Sequence, residues 1–227
     1  MYPPNPDQQY RTNKSFKLGP IKTSKIELID ILKAWVVLSL AFAIVLAPNF
    51  LGFDISLFRG GFSSLSNIFT FQFLIIFGIS LFTAGLGFLF HELAHKFVAQ
   101  KYGCVAEFRA FDQMLYLALG LAVVIGFIFA APGAVMIAGH ITRKENGIIS
   151  LAGPLTNYTL AGIFLGLLFL FPTLSKIFSI GAFINMFLGL FNMIPFGNFD
   201  GKKILYWNRY IWLAMVVLGV ASYIFIF

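Results

Sequence analysis

Two of the three histidines in this chain stand four residues apart with a glutamate beside the first, in the run Phe90-His91-Glu92-Leu93-Ala94-His95. On a helix, positions i and i+4 share one face, one turn apart. Two imidazoles so placed can hold one zinc ion, and Glu92 can reach a water on that ion. Catalytic zinc takes three protein ligands and keeps a fourth position open. The third ligand must therefore come from elsewhere in the chain. His140, the remaining histidine, stands beside Arg143 and Lys144 and reads as a solvated loop residue. Asp200 is the better candidate. It is the only acidic residue after Glu145 and lies in a Pro- and Gly-containing break between two apolar runs. A lone carboxylate and unwound backbone at such a place are costly unless a ligand occupies them. Glu145 is a rival third ligand, but no helix signal surrounds it.

With His91, His95 and Asp200 on one Zn2+ ion, the implied chemistry is hydrolysis. Zinc lowers the pKa of bound water to about 7. Glu92 is the expected proton acceptor and hands the proton to the leaving amine. Asn192 has two readings of equal weight. Its amide is a suitable donor to a tetrahedral oxyanion, and it is equally suited to cap the break at Pro195. The plain alternative for the whole motif is a helix end whose polar residues face water. His-Glu-His at this spacing argues against it.

These residues need a scaffold, and composition says which kind. Of 227 residues, 59% are hydrophobic and 11% charged, against about 25% charged in a soluble domain. Mean hydropathy is +0.87. Apolar runs of roughly 20 residues recur throughout. The expected fold is an all-α polytopic membrane protein with about five to six transmembrane helices. The formal charge of +7 does not point to nucleic acid, because the cations flank the apolar runs as in the positive-inside pattern. A single cysteine, Cys104, excludes an internal disulfide and reads as a buried or interfacial thiol.

In chain order, residues 1–28 form a polar, basic tail with Pro3, Pro4 and Pro6, without the short apolar core of a signal peptide. Residues 29–227 form one transmembrane domain, its catalytic core about 68–205. The first span covers 30–48. Residues 49–67, rich in Gly and Phe, lie in the interface or act as a lid. A second span from Ile68 to Tyr102 would be about 50 Å long as one helix, against a hydrocarbon core of roughly 30 Å. It must tilt, project, or break near Gly85 or Gly87. Lys96 and Lys101 mark its cytosolic end, so the N-terminus and the active-site end are expected to face the cytosol. Residues 104–111 and 133–139 read as short strands. The apolar stretch 114–131 between them is expected to enter the membrane and return, since that leaves only Arg59 and Lys176 on the far side. A span at 148–171 opens with Leu151-Ala152-Gly153-Pro154-Leu155-Thr156-Asn157, whose small residues let helices approach closely. Asn157 is a helix-to-helix hydrogen bond or a partner of a metal ligand. Spans at 177–194 and 210–227 complete the domain, with Trp207, Tyr210 and Trp212 as an interfacial belt.

The chain resembles the site-2 proteases, zinc metalloproteases that cut within the membrane. The resemblance rests on His91-Glu92-Leu93-Ala94-His95-Lys96, on Ala152-Gly153-Pro154-Leu155-Thr156-Asn157, and on Phe191-Asn192-Met193-Ile194-Pro195 followed by Asp200-Gly201. It implies that His91, His95 and Asp200 bind zinc, Glu92 is the catalytic acid/base, and Asn192 stabilises the transition state. It further implies a sheet edge near 133–139 that holds an unwound substrate helix in extended form. Many members carry Pro where Asn198 stands and a second Gly where Lys202 stands, and the insertion 114–131 lies outside the family's minimal core. The implied partners are a membrane-protein substrate and the lipid bilayer, with no nucleic acid. The implied location is a multi-pass integral membrane protein, and the compact form suggests a prokaryotic cell membrane. The rival reading is an inactive or transporter-like protein that keeps the fold and a zinc site. Broken helices and midplane carboxylates suit a transporter, but the halves show no self-similarity.

Overall fold

The computed structural model describes residues 15–52, 54–128 and 132–226. The protein is an all-α polytopic membrane protein in which two small β-hairpins accompany the helices. Among the described residues, four helices are long and apolar enough to cross a membrane: Lys25–Leu51, Phe71–Lys101, Arg143–Leu170 and Pro172–Phe191. Two shorter apolar helices, Asp112–Ile125 and Arg209–Phe225, accompany them. Large apolar side chains stay exposed along these helices, among them Phe169, Leu213, Val217 and Ile224. Such surface is tolerable only where lipid replaces water.

Residues 15–24, expected to belong to a polar, basic tail, form a hairpin. Strand β1 (Ser15–Leu18) pairs antiparallel with β2 (Ile21–Ser24) across Gly19, whose φ of 60° suits the turn. The strands are too short to show periodicity, and a side chain from far along the chain holds them. Gln100 accepts from the Lys22 N–H at 2.9 Å and donates to the Lys22 carbonyl at 2.8 Å. The rest of the expected tail, residues 1–14, lies outside the described residues.

Helix α1 (Lys25–Leu51) begins earlier than the expected first span because Ser24 caps it, its hydroxyl accepting from the Glu27 N–H. The expected loop 49–67 is largely helical. It comprises α2 (Leu57–Ser64), interrupted at Gly61, and a 3-10 turn at Leu65–Phe69. Ile55, Leu65 and Ile68 pack with Ala43, Ile44 and Ala47 of α1. That is about 30 Å along α1 from Glu27, at the end remote from the histidines, so this segment does not cover them.

The second span runs as α3 (Phe71–Ser80), a π-helical turn (Leu81–Gly85) and α4 (Leu86–Lys101). The expected break near Gly85 is this widened turn. The Leu81 carbonyl accepts from the Trp35 indole at 3.2 Å, and a Cβ on Gly85 would strike Ser39 and Trp35. Gly85 thus lets α1 approach the turn closely, and π turns of this kind recur at functional sites.

Strand β3 (Val105–Ala110) pairs antiparallel with β4 (Gly133–Ala138), close to the two expected strands. Between them α5 (Asp112–Ile125) rises about 21 Å, and the chain then comes back. The Phe111 N–H donates to the Pro132 carbonyl at 2.9 Å, so both ends of the insertion sit together. Both described ends of the insertion thus meet at the β3–β4 sheet. Helix α6 (Arg143–Leu170) and helix α7 (Ser175–Phe191) pack against each other. After a break at 192–199 come the short α8 (Asp200–Trp207) and α9 (Arg209–Phe225). The core lies where α6 crosses α4, α7 and α8.

Candidate metal centre

Helix α4 presents His91 and His95 to the same side, their ring centroids 4.6 Å apart. Opposite them stands Asp200, the first residue of α8. Its Oδ2 lies 3.3 Å from His91 Nε2 and 3.0 Å from His95 Nε2. All three side chains are buried, and their ligand atoms fall within 4.8 Å of one another. Asp200 arrives there because the break is pinned. The Gly201 N–H donates to the Asn192 carbonyl at 2.7 Å, and the Trp212 indole donates to the Met193 carbonyl at 2.8 Å. A Cβ on Gly201 would collide with Met193 backbone, so the glycine lets the two turns close on each other.

The outward nitrogens of the histidines fix their inward ones. His95 Nδ1 meets the Ile149 carbonyl at 2.7 Å, which can only accept, so that nitrogen carries the proton. His91 Nδ1 meets Asn157 Oδ1 at 2.5 Å, and the Asn157 amide donates to the Gly87 carbonyl at 3.1 Å. That donation turns the Asn157 oxygen toward His91, so this Nδ1 is also a donor. Both neutral imidazoles then aim a bare Nε2 lone pair at one carboxylate oxygen. Two such lone pairs and an oxyanion repel one another unless cations lie between them. Two added protons would serve, and one divalent ion serves at the same charge. The observed separations suit the second, since tetrahedral zinc bonds of 2.0–2.1 Å place neighbouring ligands about 3.3 Å apart.

Gly153 supplies an independent test of fit. A Cβ there would lie 2.5 Å from both His91 Nε2 and His95 Nε2. The glycine of the Ala152-Gly153-Pro154 run therefore keeps open the space that the imidazole lone pairs face. The donor set, two nitrogens and one carboxylate oxygen, is that of a catalytic zinc site with a free fourth position. Lys203 Nζ stands 3.7 Å from the other Asp200 oxygen.

Glu92 is half-buried beside the histidines, with the backbone N–H of Val135 on β4 near its carboxylate. The register explains why that N–H is available. Val135 stands opposite Phe108, whose own N–H points away from β4 to Glu27 Oε1 at 2.8 Å. In an antiparallel ladder such a pair exchanges no bonds. Val135 therefore directs its N–H to the outer edge of β4, next to helix α4.

The other expected residues fall as follows. Asn192 follows α7 and has its backbone carbonyl next to Gly201, but its amide donates to the Leu188 carbonyl at 2.9 Å, within its own helix. His140 is exposed. Glu145 is not a third ligand. It closes a capping box at the start of α6, accepting from the Thr142 N–H at 2.7 Å while Thr142 Oγ1 accepts from the Glu145 N–H. The Thr-x-x-Glu signal for this helix start was present in the sequence. Asn157 combines both of its readings, as hydrogen-bond partner of His91 and as a link between helices. Three contributors had no sequence signal: the Ile149 carbonyl, Asn185 on α7, and the Val135 N–H.

No family model matches the chain, and no solved structure does. Two curated proteins are similar to it. "Putative zinc metalloprotease YwhC" of Bacillus subtilis is 32% identical over 146 residues, 53% of this chain and 64% of that protein. "Putative zinc metalloprotease MJ0611" of Methanocaldococcus jannaschii is 49% identical over 154 residues, 66% of this chain and 80% of that protein. A shared sequence at that level, over four-fifths of the archaeal protein, makes this chain a member of the zinc metalloprotease family to which that relative's name assigns it.

Proposed function

We propose that this chain is an intramembrane zinc protease of the site-2 type, hydrolysing a peptide bond in or near a transmembrane segment of another membrane protein. The release of a membrane-held protein by such a cut is regulated intramembrane proteolysis. The carrying observation is the convergence of His91, His95 and Asp200, all buried, where helices fit to cross a membrane meet. Zinc held there would supply a water of lowered pKa and polarise the substrate carbonyl. Glu92 takes the proton from the attacking water and gives it to the leaving nitrogen. The outer edge of β4 offers backbone groups to an extended chain, which a helical substrate must become before its carbonyl is reachable. Pairing there would place a substrate carbonyl on the Val135 N–H and free Glu92 for the water. Asn192 can serve the developing oxyanion once its amide leaves the Leu188 carbonyl. The clustered cations near the ends of α4, α6 and α8 support a cytosolic position for this end of the protein and the N-terminus.

The test is reconstitution of purified protein with a model transmembrane substrate, wild type against Glu92→Ala. Wild type is expected to cleave, and the variant to bind one equivalent of zinc while cleaving at least about a hundredfold more slowly. Equal cleavage by both would refute the mechanism.

A further inference from the structure

His91 and His95 are held by different means. His95 Nδ1 meets a backbone carbonyl, which no substitution removes. His91 depends on a side chain, and that side chain on another. Asn185 on α7 is fully buried; its amide donates to the Gly181 carbonyl at 2.9 Å and to the Thr83 carbonyl at 3.4 Å. Those two acceptors fix which end of the Asn185 amide is nitrogen. Its oxygen therefore faces Asn157 and accepts from Asn157 Nδ2 at 3.2 Å. This reinforces the Gly87 carbonyl in turning the Asn157 oxygen toward His91. A flipped Asn157 would offer its NH2 group to Nδ1. The imidazole proton would then sit on Nε2, where the metal must bind. Space for the relay is reserved in the sequence, since a Cβ on Gly87 would strike the Asn185 carboxamide. The Thr83 carbonyl lies in the π-helical turn, where it also accepts from the Leu86 N–H.

We infer that Asn157 and Asn185 are positioning residues for the metal: a two-amide relay from α7 through α6 sets His91 as a ligand. The inference rests on the metal reading of the site and not on the substrate. It assigns a function to the π turn as well, which supplies the relay's far anchor. Partners of metal-bound imidazoles typically change metal affinity by about 10–100-fold when removed.

The experiment measures zinc affinity by chelator competition, the spectrum of the cobalt-substituted protein, and the thermal stability of the metal-free protein. Asn157→Leu is expected to weaken zinc about 10–100-fold, and Asn185→Leu by a smaller factor of about three to ten. Asn157→Asp keeps an oxygen against His91 but sets it against the Gly87 carbonyl and Asn185. It is expected to lower metal-free stability while holding zinc within about threefold of wild type. A structural role alone would make zinc affinity follow stability across all three variants, and that result would overturn the relay. So would Asn185→Leu with wild-type affinity and an unchanged cobalt spectrum. This variant keeps the test decisive if Asn157→Leu does not fold. Wild type that binds no zinc would overturn the metal reading itself, an outcome distinct from the others.

Discussion

Helix α4 carries two buried polar clusters one residue apart in sequence, His91 and His95 with Asp200, and Lys96 with Glu27. In the second, every group is satisfied. Glu27 Oε2 accepts from Lys96 Nζ and from Thr23 Oγ1 at 2.8 Å, and Glu27 Oε1 accepts from the Phe108 N–H at 2.8 Å. The pair is almost wholly buried, Lys96 at 1% and Glu27 at 0% exposure. Opposite charges and four elements meet there: β2, α1, α4 and β3. The first cluster is also buried but has the reverse chemistry, with two imidazole lone pairs and a carboxylate pointing at one another. Full pairing marks a clamp, whereas converging acceptors mark a place for a cation. The clamp also matters to the site, because the Phe108 that Glu27 holds is the register partner of Val135 beside Glu92.

The contrast can be broken most severely at Asp200. Asp200→Ala should cut zinc affinity by roughly three orders of magnitude or more, since one of three protein ligands is lost. Metal analysis of the purified variant should find background zinc, and an undiminished stoichiometry would reduce the first cluster to a second clamp. Glu27→Leu comes next. It leaves a buried, uncompensated Lys96 and should cost about 3–5 kcal/mol of stability. The double variant Glu27→Gln with Lys96→Met keeps an acceptor for Phe108 and removes both charges, so its stability should return close to wild type. Reversible unfolding in mixed micelles measures both. If the double variant were as unstable as the single one, the charge pair itself would be indispensable.

Gly153→Ala sharpens the comparison from the metal side. Its methyl group would enter the space facing both Nε2 atoms, so zinc should bind at least about tenfold more weakly. The metal-free fold should be retained, because alanine favours a helix more than glycine does. Gln100→Ala removes the side chain that fastens β2 and should cost about 1 kcal/mol. Faster exchange of the Lys22 amide would report it, with no change in zinc. The smallest effect concerns Cys104, where burial, aided by Glu145, pushes the thiol up. The protonated form is then favoured by the fold. Its contribution is complete below the ordinary thiol pKa and is lost as pH rises through the raised one. Alkylation should be slow at neutral pH and accelerate only above the ordinary thiol range. Rapid labelling at pH 7 would contradict the burial.

Much of this was legible from residue types. Hydropathy gave the membrane class and the long apolar helices, because lipid penalises charge and unpaired backbone so strongly that few arrangements remain. The H-E-x-x-H spacing placed two imidazoles on one helical face, and the scarcity of acids in the apolar runs singled out Asp200. The hairpin at 15–24 was not legible, since four-residue strands carry little pattern and Gln100 holds them from 78 residues away. The helix start at Glu145 was also legible, in the Thr-x-x-Glu capping box, although no helix was expected there.

The sequence by itself determined the membrane class, the histidine pair on one helical face and the carboxylate able to join it, because those follow from local periodicity and from the cost of charge in lipid. Only the tertiary structure decided that Asp200 reaches both imidazoles, that Gly153 leaves room for an ion, and that Asn157, Asn185 and the Ile149 carbonyl set the faces of the rings. Hydrogen bonds between distant segments have no period in the chain; they exist only once packing brings their ends within about 3 Å.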